Sequence, residues 1–252
     1  MPKTTNPLLK KSGPSTNAIL SIVVVVAAVV IIGGVLLFTA GKGDNAAGGQ
    51  SPAPGQDMSQ VVSKPDSHKL TEAPDAKVTV TEFLDFQCPS CFQYYNGVTK
   101  NIEQEYKGRI NFVNRMYPLT NAHPLAMEAA KSAEAAAMQG KYKEMYHAIF
   151  DNYRAWAVSP DGQQVSDDTG RANQMFTQYA QQIGLDANKF KQDKESKAVS
   201  DRIAADQADA EKAGISGTPS FFINGQKWEG SGKSTADVAQ QLRARIDQEL
   251  AR

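Results

Sequence analysis

The stretch Lys77 to Phe86, KVTVTEFLDF, sets Val78, Val80, Leu84 and Phe86 on one face and then runs straight into Cys88-Pro89-Ser90-Cys91. That is the pattern of a strand rich in β-branched and aromatic residues. After it, Cys91, Tyr95, Val98, Ile102 and Tyr106 recur at the spacing of a helix that buries one stripe. Gly108 stops that helix, and Arg109 to Met116, RINFVNRM, reads as a second strand. Strand, helix and strand in this order close as a right-handed parallel crossover, so the segment dictates an α/β fold class with the cysteines where strand meets helix.

The other end of the chain supplies the rest of a sheet. Pro219 to Ile223 reads as a strand, Asn224-Gly225 is a strong hairpin signal, and Gln226 to Glu229 returns. A last helix follows, capped by Ser234 with Asp237 three residues on, burying Val238, Leu242 and Ile246. Between the halves, Pro124 to Ala213 is helical in pattern. One helix is expected over Leu125 to Phe150 and a second around Met175 to Ile183. A third is expected from Asp186 to Ala213, ending at Gly214 with Ile215 folded back onto it. Trp156, in the polar loop Asp151 to Gly170, reads either as a surface contact or as a plug.

The N-terminal part differs in kind. Ile19 to Phe38 carries no charge and is about 20 residues long, enough for a helix to span the hydrocarbon core of a bilayer. The rival, a cleaved signal peptide, has a shorter apolar core and a small-residue site at its end, where Phe38-Thr39-Ala40 places a bulky side chain and Asn45-Ala46-Ala47 offers only a weak substitute. Lys3, Lys10 and Lys11 precede the run, which orients residues 1–18 as a cytoplasmic tail and the rest of the chain outside the cell membrane. No cysteine follows the run closely, which excludes a lipid-modified cysteine anchor. Residues 39–68, poor in large apolar side chains, are expected to be a flexible linker. Residues 69–252 are then the size of one domain, with a helical insertion at about 124–213. With 27 basic and 27 acidic residues, nothing marks a nucleic-acid-binding surface.

The chain has no cysteines besides these two. A disulfide closing so short a loop stabilises a fold by only about 2 kcal/mol in the chain-entropy model, against about 4.7 kcal/mol for a 100-residue loop. As a redox pair the two are better placed. Cys88 sits at the helix cap, where unpaired N–H groups and the positive end of the helix dipole favour a thiolate. Pro89, at the first helical position, lacks only an N–H that would go unpaired anyway. Cys91, one turn on, is expected to be the more buried partner. A pKa depressed by two units would stabilise the reduced pair by about 2.7 kcal/mol, or roughly 60 mV, making the disulfide a better oxidant.

Glu82 to Cys91, EFLDFQCPSC, together with Tyr117-Pro118-Leu119, His123-Pro124, Gln139-Gly140-Lys141 and Gly217-Thr218-Pro219-Ser220-Phe221-Phe222-Ile223-Asn224-Gly225, resembles the DsbA-like thiol-disulfide oxidoreductases, over about Leu70 to Arg252. The resemblance implies a thioredoxin-like fold with an inserted α-helical subdomain, here preceded by a single transmembrane helix. It implies that Pro219 is cis and packs against the cysteines, and that the backbone of Thr218 pairs with substrate. It also implies that Glu82 is a buried carboxylate serving the inner cysteine, although a salt-bridged structural acid fits the same position. The strongest oxidants of that family carry histidine inside the motif. Ser90 stands there in this chain, so the expected cationic partner of the thiolate is missing, and reductase or isomerase activity stays open.

His68, His123 and His147 show no ligand spacing with the cysteines, so no metal or other cofactor is expected beyond the redox-active disulfide itself. The expectation is a membrane-anchored enzyme that forms disulfides in exported proteins and is reoxidised by a quinone-linked membrane partner, as the resemblance implies. The rival from another class is a copper-delivery module, two thiolates holding Cu(I).

Overall fold

The computed structural model describes residues 58–252. The expected tail, 1–18, the transmembrane helix, 19–38, and the linker as far as residue 57 lie outside the described residues. Among the described residues no helix is long and apolar enough to cross a membrane.

Order begins ahead of the expected domain edge. Met58–Val62 is a short helix, α1, and β1 follows at His68–Thr71. The last part of the expected linker is therefore packed structure. Val62 is fully buried with Phe83, Ala210, Ile215 and Phe222, and the carbonyls of Val61 and Val62 accept from the Arg115 guanidinium at 3.0 and 3.2 Å. The polar composition around these valines hid them, and the cation that recruits them lies far along the chain.

The strand–helix–strand unit is present. β2 is Thr79–Leu84 and β3 is Asn111–Met116, paired in parallel with Val80 opposite Phe112. The helix between them is continuous but changes pitch: α2, Pro89–Tyr94, passes through a π-helical turn, Tyr95–Thr99, into α3, Lys100–Glu105. At that turn Gly97 faces Thr235 so closely that a Cβ would lie 2.4 Å from its Oγ1, which accounts for a glycine inside a helix. Gly108, at φ 72°, ends the segment in the left-handed conformation that glycine adopts most readily.

The expected helix over Leu125 to Phe150 is in fact two, α4 (Ala126–Ala137) and α5 (Tyr142–Asp151), parted at Gly140 with φ 72° and closed by Lys141 N–H donating to the Ala136 carbonyl at 2.9 Å. Short α6 (Tyr153–Trp156) and α7 (Thr169–Gln182) follow. The expected helix from Asp186 to Ala213 is also two, α8 (Ala187–Lys194) and α9 (Lys197–Lys212), because Ser196 caps the second through its hydroxyl. Ile215 folds back as expected, its N–H donating to the Ala210 carbonyl at 3.0 Å. Trp156 is a plug: fully buried, it donates to the Ile149 carbonyl at 2.9 Å and meets Phe176 edge-on.

β4 (Ser220–Ile223) and β5 (Gln226–Trp228) form the hairpin, with Asn224 and Gly225 both at positive φ. The last helix, α10 (Thr235–Leu250), has the full capping box between Ser234 and Asp237. The sheet order is β1-β3-β2-β4-β5, with every pair but β2–β3 antiparallel. β2 is thus central and covered on both faces. Val80 and Leu84 join the main core with Tyr95, Val98 and Ile102, while Phe83 belongs to the smaller cluster behind the sheet. Glu82 shares the main-core face.

Candidate active site

β2 ends at Leu84, and three buried residues, Asp85, Phe86 and Gln87, carry the chain to Cys88. Cys88 is the N-cap of α2 in extended conformation, with Pro89 opening the helix. Its N–H donates to the Asp85 carbonyl at 3.1 Å, and its carbonyl receives the Phe92 N–H at 3.1 Å. Both cysteines are free thiols. Pro89 and Ser90 are exposed, Cys88 keeps a small accessible edge, and Cys91 has none.

These settings split the two sulfurs. The Cys88 thiol is brought down to about 5, first by the hydrogen bond from Cys91 and then, against the cost of burial, by N–H groups of the helix start and by Thr218. Cys91 is pushed well above the ordinary thiol range by burial and by the charges of Cys88 and Glu82. One sulfur is therefore an anion at neutral pH and the other holds its proton.

Thr218 and Pro219 are brought to this sulfur from across the chain. The Thr218–Pro219 peptide is cis, and the Cys88 Sγ lies 3.5 Å from the Thr218 carbonyl oxygen. Thr218 and Pro219 are half-buried. Glu82 lies beneath, buried, and accepts from Thr99 Oγ1 and Asn114 Nδ2, each at 3.3 Å. Both of these partners are neutral, and burial pushes its carboxyl up to about 8.

Three residues of the site were not singled out from the sequence. Gln87 stitches the cysteine loop to the helical insertion: its Nε2 donates to the carbonyls of Ala157 and Ser166, and its Oε1 accepts the Leu125 N–H at 2.6 Å. Tyr153 donates to the Gln87 carbonyl at 2.7 Å and stacks on Phe92 at 4.3 Å between centroids. Asp85 is fully buried and accepts from Gln87 N–H, Leu119 N–H and, at 2.6 Å, His123 Nδ1. Buried polar side chains on both sides of the cysteines were the available signal, since such groups must find partners. Apart from the local Gln87 N–H, the partners themselves lie 34 to 79 residues away.

A family model described as thioredoxin matches residues 71–246. The chain is 33% identical over 169 residues to the Na(+)/H(+) antiporter NhaA 1 of Mycolicibacterium vanbaalenii, covering 66% of this chain and 25% of that protein. It is likewise 33% identical over 166 residues to NhaA 3 of Salinispora tropica, covering 66% of this chain and 23% of that protein. The chain therefore spans about a quarter of the length of these curated relatives. Among solved structures, a thioredoxin-like oxidoreductase from Silicibacter pomeroyi is 26% identical with a TM-score of 0.58, over 78% of this chain and 99% of that one. Alpha-DsbA1 of Wolbachia pipientis is 20% identical with a TM-score of 0.62, over 78% and 96%. BdbD of Bacillus subtilis is 20% identical with a TM-score of 0.62, over 81% and 100%. With a family model covering most of its length, and with the fold of the DsbA-type oxidoreductases around two adjacent free cysteines, the chain belongs to the thioredoxin family.

Proposed function

We propose that this chain is a thiol–disulfide oxidoreductase that forms disulfide bonds in exported proteins through Cys88 and Cys91. The observation that carries the reading is the placement of the two sulfurs: Cys88 caps the helix with a small exposed edge, 3.5 Å from the Thr218 carbonyl of the cis Thr218–Pro219 peptide, and Cys91 is sealed one turn on, a setting that brings the Cys88 pKa down to about 5 and pushes Cys91 well above the ordinary range. A low-pKa outer sulfur is a good leaving group and a stable anion, which favours the reduced enzyme and so the oxidation of clients.

The steps balance as follows. Starting from the oxidised pair, a client thiolate attacks the Cys88 sulfur, the Cys88–Cys91 bond breaks, and Cys91 leaves with the electron pair. Glu82, on the core face of β2 and neutral below about 8, is the acid for the proton Cys91 then takes. A second client thiolate attacks the client sulfur of the mixed disulfide and expels Cys88 as its stabilised thiolate. The client gains one disulfide, and the enzyme is left with two reduced cysteines, the state of the structure. The half-buried Thr218–Pro219 segment beside Cys88 is where the client chain would pair. The apolar run Ile19 to Phe38 supports a membrane-tethered enzyme facing outward, and a quinone-linked membrane protein suits the reoxidation step.

The test is reoxidation of reduced ribonuclease by the oxidised chain, with the reduction potential measured in glutathione buffers. The reading expects stoichiometric transfer of disulfides, abolished in Cys88→Ser, and a potential well above the −270 mV or so of thioredoxin. A potential at the thioredoxin level would reverse the direction and make the chain a reductase.

A further inference from the structure

Ser90 leaves the cysteine motif without a cation, yet an anion is built in beside it. Asp85 lies three residues before Cys88 with its side chain fully sealed from solvent, and its backbone brackets both sulfurs: the carbonyl accepts the Cys88 N–H at 3.1 Å, and the amide approaches the Cys91 Sγ at 3.5 Å. Its Oδ1 accepts the Gln87 N–H at 2.8 Å, and Gln87 adjoins Cys88 in the chain. A carboxylate so placed folds the loop, but its charge opposes a thiolate at the same spot. The counter-charge comes from the segment between β3 and α4. His123 Nδ1 lies 2.6 Å from Asp85 Oδ2, the Leu119 N–H joins the same oxygen at 2.9 Å, and the imidazole is 12% exposed at the edge of the site.

We infer that His123 is a positioning residue for the exchange reaction: its imidazolium, held by Asp85, balances the buried carboxylate and thereby lets Cys88 ionise next to it. The histidine does from outside the motif what a residue inside it does not. In agreement, the His123 pKa is raised, first by the hydrogen bond to Asp85 and in smaller part by the Cys88 charge, so the imidazole feels both groups. Tyr153, on the far side of the loop, also feels Cys88 and Asp85, but its phenol is neutral and donates to the Gln87 carbonyl, so it offers no compensating charge.

The inference rests on exchange at Cys88 but is read on the sulfur itself. The thiolate absorbance of the reduced full chain near 240 nm is titrated against pH, and the potential is measured in parallel, for the parent, His123→Asn, Asp85→Asn and the double variant. In His123→Asn the carboxylate is uncompensated. The Cys88 midpoint should rise by about one unit, a tenfold loss of thiolate stabilisation, with a potential about 30 mV more negative. Asp85→Asn should leave the midpoint where it is or lower it, and the double variant should return to within about twofold of the parent. Restoration by the second substitution is what a merely structural pair would not produce. A midpoint unmoved in His123→Asn overturns the inference, as does a double variant displaced by the sum of the singles. If His123→Asn does not fold, Asp85→Asn decides alone, and a raised Cys88 midpoint there overturns it. Ribonuclease reoxidation by the parent is scored separately: its absence would sink the oxidase reading and leave the charge balance standing.

Discussion

Acidification distinguishes an ionised Cys88 from an ordinary thiol by counting protons. With Cys88 at about 5 and Cys91 above the usual range, reducing the disulfide at pH 6 takes up two electrons and one proton, which goes to Cys91. Below about pH 5 it takes up two protons. For a two-electron couple each proton tilts the midpoint potential by about 30 mV per pH unit. The potential should therefore fall by about 30 mV per unit between roughly pH 5.5 and 7, and by about 60 mV per unit below roughly pH 4.5. The window stops short of about 8, where Glu82 begins to exchange protons of its own. At pH 7 the two units between the pH and the thiol's pKa of about 5 stabilise the reduced form by about 2.7 kcal/mol, or roughly 60 mV. The sign for stability follows from a folded pKa depressed below its ordinary 9.0. The contribution is complete above the ordinary value, partial at pH 7, and lost as pH falls through about 5. Equilibration in glutathione mixtures at each pH, acid quenching, alkylation and separation of the two forms on a gel gives the slope. A constant slope near 60 mV per unit from pH 4 to 7 would refute the ionised outer sulfur and everything built on it.

Glu82→Gln should stabilise the protein at neutral and alkaline pH. Its folded pKa is raised from 4.5 to about 8, so burying this group costs the parent nothing extra below about 4.5 and progressively more up to about 8, by as much as about 5 kcal/mol. Melting temperatures of parent and variant should coincide near pH 4 and diverge by pH 8, and parallel curves would contradict the burial. Arg115→Met removes the cation that bridges buried Asp206 and Asp209 at 2.7 Å each and should cost at least about 3 kcal/mol by urea unfolding, whereas a loss under 1 kcal/mol would mean the carboxylates are satisfied by Lys64 and Arg202. Gly97→Ala sets a methyl against Thr235 and should destabilise by about 1–3 kcal/mol; a neutral result would show that α10 can move aside freely.

The elements legible in advance were those whose signals are local. Alternation wrote β2, the stripe from Cys91 to Tyr106 wrote the helix after it, and Asn224-Gly225 and the Ser234 capping box marked the hairpin and the last helix. The breaks at Gly140 and Ser196 were written too, as a left-handed glycine and a hydroxyl cap, but helical periodicity on either side masked them. Cys88, Cys91, Thr218 and Pro219 were legible as a set because their types and order are distinctive. The Asp85–His123 pair was not. Each residue reads separately as a polar group near a turn, and only the crossover that carries the chain from β3 toward α4 makes them neighbours. For the same reason α1 passed for linker: its worth lies in two carbonyls aimed at a guanidinium more than 50 residues downstream.

That guanidinium has a mechanical consequence. A pull on the polypeptide upstream of Met58 meets the domain at Val61 and Val62, whose carbonyls Arg115 ties to the middle of α9 at Asp206 and Asp209, with Lys64 and Asp66 adding ion pairs to the same helix. The load is thus shared between the sixteen-residue α9 and β3, and since Arg115 stands opposite Phe83 in the parallel β2–β3 pair, it reaches the strand that leads into the reactive sulfur.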